Sequence, residues 1–170
     1  MTYFTITDDG KKKTSELIAE CRKHFKVSSY WDDEELDKHF KAPKEATTRY
    51  FNKTVESENK GKSRDDMEGK PLMTFREYVI FIVQHWKETE EHLDLEGWTF
   101  FQDRLPDGRV AYGRWYPGLS QVRFRWFRSG ARYSDAGGRE VVSLSSSPTC
   151  SLEEAIKVCK EAGLVVMKQY

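Results

Sequence analysis

The chain is short of cysteine, and the little it has is badly placed for covalent work. Cys21, Cys150 and Cys159 form no Cys-x-x-Cys pair and cannot all be bridged. Their spacing predicts reduced thiols, with neither a disulfide framework nor a zinc site. Long apolar runs are missing too. The longest, Tyr78 to Val83, is too short to span a bilayer, and the N-terminal MTYFTITDDGKKK lacks the apolar core and cleavage site of a secretory signal. These absences predict a cytoplasmic protein with no membrane partner. Net charge is absent as well, since 28 basic residues balance 28 acidic ones, which argues against a dedicated non-specific nucleic-acid binder. Nor is there a phosphate-cradling loop: Gly137-Gly138 lacks the glycine spacing and the following helix. Ser143 to Ser147 lacks a nucleophile-elbow pattern, Cys159 falls near the apolar face of a helix, and no carboxylates are paired by spacing. No cofactor and no nucleophilic centre are expected.

What is present is unevenly spread. The 170 residues are enough for one compact domain, and 14% aromatic content is too high for a disordered chain. Residues 98–144 hold eight of the twelve arginines and none of the sixteen lysines, interleaved with Trp, Phe and Tyr.

In chain order, Tyr3 to Thr7 alternates like a strand, and Leu17, Ile18, Cys21 and Phe25 recur at helical spacing. Val27 to Trp31 reads as a short strand, and Asp32 with Glu35 as the capping box of a helix carrying Leu36 and Phe40. A third helix is expected from Pro43, presenting Ala46, Tyr50 and Val55. The charge-rich 56–70 stretch reads as a linker or mobile loop. Thr74 and Glu77 then cap the longest helix, expected to run to about Asp94 with exposed acidic last turns. Trp98 to Phe101, Val110 to Tyr116 and Gln121 to Phe127 form an antiparallel meander, Gly130, Gly137 and Gly138 mark turns, and Val141 to Ser145 is a fourth strand. Ser151 with Glu154 opens a last helix, and Leu164 to Met167 is a closing strand.

The fold class so predicted is α+β. A β/α helical layer at 1–58 is joined by a charged linker at 59–71 to a unit at 72–170, in which the long helix packs on the meander and a C-terminal helix and strand close the sheet. Period-two alternation assigns Val122, Phe124 and Trp126 to the core side, and Arg123, Arg125 and Phe127 to the other. Guanidinium forks grip phosphate or carboxylate at two points, and aromatic rings stack on flat groups. The candidate ligand-binding residues are therefore Arg109, Arg114, Tyr116, Arg123, Arg125, Phe127 and Arg132. The bland alternative pairs these arginines internally with Asp103, Asp107, Asp135 and Glu140 over aromatic rings. His85, Glu88 and His92 share a helical face and are the weak candidates for a metal, though no metal is expected because such groups are more often a helix's polar edge. His24 and His39 are assigned helix-end roles.

The segments MTFREYVIFIVQHWKETEEHLDLEGWTFFQDRLPDGRVAYGRWYPG and WDDEELDKHFKAPKEATTRYF resemble a family of small uncharacterised bacterial proteins of candidate-phylum lineages, over most of residues 27–145. That resemblance implies a cytoplasmic bacterial origin and one recurring unit; it implies no activity. RYSDAGGREVVSL, residues 132–144, is similar to the closing segment of formylglycine-generating-enzyme-like and C-type-lectin-like domains, which serve as ligand-binding platforms. The chain departs from them in having Gly138-Arg139 without an intervening apolar residue, in continuing with a helix and strand, and in its short length. The C-type-lectin-like fold is thus the alternative architecture, and no catalytic residue is carried over.

The expected function is a non-enzymatic binding or interaction module whose arginine- and aromatic-rich β face meets a protein partner or an anionic ligand. Nucleic acid is the less favoured partner, because no recognised RNA-binding motif is present. The alternatives are a small enzyme acting on an anionic substrate, and a structural protein with internally paired arginines.

Overall fold

Strand β1 (Tyr3–Asp8) follows its alternating sequence, burying Phe4, Ile6 and Asp8 in the first of the elements seen in a computed structural model that describes residues 3–143. Helix α1 (Thr14–Arg22) buries Ile18 and Cys21, β2 (Lys26–Ser29) follows, and α2 (Asp33–His39) starts at the Asp32 and Glu35 capping box. After β3 (Thr47–Asn52), helix α3 (Phe75–Thr89) opens at a second capping box, in which Thr74 Oγ1 accepts from Glu77 N and the Glu77 carboxylate accepts from Thr74 N. Strands β4 (Trp98–Arg104), β5 (Arg109–Tyr116), β6 (Gln121–Arg128) and β7 (Ala136–Gly138) complete the described elements. The class is α+β, with β1 and β3 as an antiparallel ribbon and a five-stranded sheet in the order β2-β6-β5-β4-β7.

Several local expectations are corrected. The helix expected from Pro43 is strand β3, which pairs antiparallel with β1 so that Phe51 lies opposite Phe4. Thr47, Thr48, Tyr50 and Phe51 are β-branched or aromatic, and in this register they outweigh the helical spacing of Ala46, Tyr50 and Val55. Helix α3 stops at Thr89 because Glu90 takes a left-handed conformation, φ 59°, as its C-cap. Of the last turns read as acidic and exposed, Lys87 to Glu91 are exposed, whereas Leu93 and Asp94 are buried. The meander β4-β5-β6 is antiparallel as read, but parallel strands flank it, β2 beside β6 and β7 beside β4. Strand β7 contains the glycines read as a turn. A Cβ on Gly137 would stand 2.0 Å from the Glu58 carbonyl oxygen, so only glycine lets that strand pass beneath the loop. Val141 to Ser143 forms no strand; Val141 and Val142 instead donate singly to the Pro71 and Tyr50 carbonyls. The expected C-terminal helix and strand, and the end of the fourth strand, lie outside the described residues.

One face of the sheet is covered by α1, α2, α3 and the ribbon. Their shared core runs through Phe40, Phe75, Phe101 and Phe124, with Phe75 stacked on Phe40 at 4.0 Å and 4.8 Å from Phe124. The opposite face carries a smaller cluster of Met67, Leu72, Phe100, Phe127 and Ala136. The stretch read as a linker covers that cluster. Gly61 N donates to the Ala136 carbonyl and Asp65 N to that of Ser129, while Ser57, Ser63, Arg64 and Met67 are buried. Its acidic residues grip the sheet's arginines: Arg132 holds Asp66 through two hydrogen bonds, at 2.6 and 2.8 Å, and Arg104 holds Asp65 and Glu68.

Candidate functional site

Strands β5 and β6 pair in a register that sets Tyr112 opposite Arg125, Arg114 opposite Arg123, and Tyr116 opposite Gln121. Side chains two apart share a face, so Tyr112, Arg114, Tyr116, Arg123, Arg125 and Phe127 all point away from the helical layer. Two cations directly across from each other repel. The aromatic rings around them supply partial compensation: the Arg123 guanidinium stacks over Tyr116 at 3.8 Å, Arg125 over Tyr30 at 4.3 Å, and Arg114 lies 5.2 Å from Trp98.

The eight arginines of residues 98–144 divide into two groups. Arg104, Arg109, Arg132 and Arg139 hold carboxylates, with Asp107 on Arg109 and Asp94 on Arg139. Arg114, Arg123, Arg125 and Arg128 have no carboxylate within ion-pair distance among the described residues, and three of these four share the outer face. Arg114 donates to the Leu95 and Trp115 carbonyls, and Arg125 donates to Ser28 and to the Phe124 carbonyl. Burial lowers the Arg125 pKa, against the opposing effect of Tyr30. The Arg123 Nε is buried without a hydrogen-bond partner among the described residues.

The seven candidate ligand-binding residues therefore separate. Arg114, Tyr116, Arg123 and Arg125 come together. Arg109 pairs with Asp107 and lies 3.5 Å from the Trp126 ring on the other side of the sheet. Arg132 is spent on Asp66, and Phe127, 6% exposed, is packed under the 59–71 stretch. Trp126, expected in the core, is 38% exposed, with Arg109 over its ring and Tyr30 at its edge in place of core side chains. Of the four carboxylates proposed as internal partners only Asp107 serves as one. Asp103 accepts from Phe75 N, and Glu140 pairs with Lys70.

Beside the arginines the face folds into a recess of about 240 Å3 lined by Trp98, Tyr112, Phe127, Tyr133, Asp135 and Ala136. The rings meet edge to face, Trp98 with Tyr112 at 4.4 Å, Tyr112 with Phe127 at 4.7 Å, and Phe127 with Tyr133 at 5.7 Å. The Tyr112 hydroxyl has a raised pKa, chiefly through burial and further through Tyr30, Tyr133 and Asp135. Tyr112 and Tyr133 belong to the arginine and aromatic array of residues 98–144, whereas Trp98 and Asp135 stand outside the residues read as a binding face. Pairing Trp98 to Arg104 with Arg109 to Tyr116 brings Trp98 beside Tyr112, a juxtaposition available once the β4 register is known.

Other recesses hold different chemistry. A groove of about 440 Å3 between α1 and α3 is lined mostly by Leu17, Val79, Ile80 and Val83 and the stems of Lys12 and Lys87. A recess of about 130 Å3 gathers Asp8, Arg49, Arg76, Glu77 and Asp103, all of which pair or cap: Arg76 grips Asp8 through two bonds, Arg49 faces Glu77, and Asp103 caps α3. Burial raises the Asp103 carboxyl pKa against the donated Phe75 N–H.

His85, Glu88 and His92 do not converge. His85 is buried, Glu88 accepts from Gln84, and His92 lies beyond the helix end, stacked between Trp86 at 4.6 Å and Trp115 at 3.5 Å. Desolvation lowers the pKa of both imidazoles. Among the described residues no three His, Cys, Asp or Glu side chains are grouped to hold a metal ion. The sheet separates these histidines from the outer arginines. No described helix is long and apolar enough to cross a membrane.

Comparison with family models, with curated proteins and with solved structures found no match to this chain.

Proposed function

We propose that the protein is a binding module that captures an anionic ligand on the outer face of β5 and β6. The observation that carries this reading is the set Arg114, Arg123 and Arg125, three guanidiniums on one face with no carboxylate partner among the described residues. A directly opposed pair of like charges costs roughly 0.2–1 kcal/mol. An anion bridging Arg114 and Arg123 reverses the sign of that interaction. Arginine suits the task because its fork grips phosphate or carboxylate at two points and its plane stacks on rings. The structural alternative accounts for Arg104, Arg109, Arg132 and Arg139 but leaves these three without a carboxylate among the described residues, with Arg114 and Arg125 held only by neutral oxygens.

The test uses the double variant Arg114→Ser, Arg123→Ser, with Arg128→Ser, on the opposite side of the sheet, as the control. Retention on an immobilised polyanion is expected to move to lower salt for the double variant and to stay unchanged for the control. The melting temperature of the double variant is expected to shift little, because relief of the Arg114 and Arg123 repulsion opposes the loss of their ring contacts, each about 1 kcal/mol or less. Unchanged retention, or a collapse in stability, overturns the reading.

A further inference from the structure

We infer that the aromatic recess beside the arginines is a nucleobase pocket and that the anion taken by this face is a nucleotide, with guanine the preferred base. The inference rests on the binding reading above and adds the ligand's chemical class.

Size comes first. A recess of about 240 Å3 falls below the roughly 300 Å3 at which pockets for drug-sized ligands begin. It has room for one flat ring system. Its walls are the right kind, because the faces and edges of Trp98, Tyr112, Phe127 and Tyr133 offer a base a stacking surface. Tyr133 lines the recess and is 49% exposed, so part of its ring is free to meet a guest.

Charge decides between two kinds of guest. An aromatic box with a carboxylate at its rim also suits a quaternary ammonium ion. Here the box adjoins cations. Arg114 lies against Trp98, one of its walls, and Arg125 is the cross-strand neighbour of Tyr112, another. The single Asp135 carboxylate cannot offset these with Arg123 beyond them, so the local field favours a guest that brings negative charge with its ring. A nucleotide does so, its phosphate reaching the arginines while its base enters the box.

Asp135 supplies selectivity. Its carboxylate makes no hydrogen bond and no ion pair among the described residues, while its backbone carbonyl is held by Trp98 N. An ionised carboxylate is acceptor-only. Guanine alone among the common bases presents two adjacent donors, the ring N–H and the amino group, to such a partner. Adenine and cytosine present one donor beside an acceptor, and uracil's single donor lies between two carbonyls.

The experiment titrates the full chain with GMP, AMP, UMP, guanosine and inorganic phosphate by calorimetry and by quenching of tryptophan emission, with a 5′-phosphorylated guanine-ended oligonucleotide and a trimethyllysine peptide as further arms. GMP is expected to bind at least about tenfold more tightly than inorganic phosphate, the scale of one base stack, and more tightly than AMP or UMP. Tyr133→Ala, at an exposed position, is expected to remove that advantage while leaving polyanion retention intact. Asp135→Asn is expected to level GMP and AMP. The oligonucleotide arm distinguishes a free nucleotide from a strand end as the source. GMP binding no better than phosphate, an unaffected Tyr133→Ala variant, or preference for the trimethyllysine peptide overturns the inference. Polyanion retention that still depends on Arg114 and Arg123 in that case shows that only the nucleobase assignment has failed.

Discussion

Asp94 is the residue on which most of the buried polar structure converges. Its carboxylate accepts from the Tyr78 hydroxyl at 2.7 Å, from Thr99 Oγ1 at 2.8 Å and from Arg139 Nη2 at 2.9 Å, and Arg139 also donates to the Thr54 and Val55 carbonyls. Burial raises the Tyr78 hydroxyl pKa far above its ordinary value, with the Asp94 charge adding to it. Removing one member of a buried pair leaves the other charge uncompensated, at about 3–5 kcal/mol. Asp94→Asn keeps the left-handed conformation that this position needs, φ 53°, so the loss is electrostatic. Denaturant unfolding is expected to show a destabilisation of that order, and a change under about 1 kcal/mol would contradict the buried-pair account. Cys21 gives a second test. Burial pushes its thiol up to about 12, and the thiolate is the reactive species. Mapping of alkylated peptides is expected to show Cys21 unmodified by iodoacetamide at mildly alkaline pH until the protein is denatured; labelling of the native protein would contradict this.

At the scale of elements, the 59–71 stretch shows charge acting as an adhesive. The Arg132 hydrogen bonds hold the Asp66 carboxyl pKa well below the usual carboxylate range, and the Arg104 hydrogen bonds lower those of Asp65 and Glu68. Depressed carboxyl pKa values mean that the seating is fully present above the unfolded pKa values. It is lost as pH falls through the folded ones. Amide protection at Gly61 and Asp65, corrected for intrinsic exchange, is therefore expected to fall from roughly pH 4 downward, ahead of the helical layer, and Arg132→Gln is expected to weaken it at neutral pH. Protection that tracks global unfolding in both cases would contradict a separately seated segment. Helices α2 and α3 begin at capping boxes written in the chain as Asp32 with Glu35 and Thr74 with Glu77. Strand β3 was not readable in this way, because its β-forming residues acquire meaning only beside β1.

For the whole molecule, one core joins the helical layer to the sheet through Phe75, which contacts Trp31, Phe40, Phe101 and Phe124. Phe75→Ala is expected to cost about 3–5 kcal/mol, a large part of a typical domain's 5–15 kcal/mol. Far-ultraviolet circular dichroism and tryptophan fluorescence should still report one coincident transition. Two separated transitions would show that the layer and the sheet unfold independently.

Local pattern by itself determined the α+β class, the capped helices, the three meander strands and the concentration of arginine on one stretch, because capping and alternation act over a few residues. It also placed Arg123 and Arg125 on a shared face away from the core, which Arg114 joins through the β5-β6 register. Only the tertiary structure decided which arginines are already engaged, since Asp65, Asp66 and Glu68 reach Arg104 and Arg132 from dozens of residues away. The same long-range packing buried Phe127, exposed Trp126 and brought Trp98 and Tyr112 to Tyr133. Spacing along a chain reports the direction of a side chain, whereas its partner is set by whichever distant segment the fold lays across it.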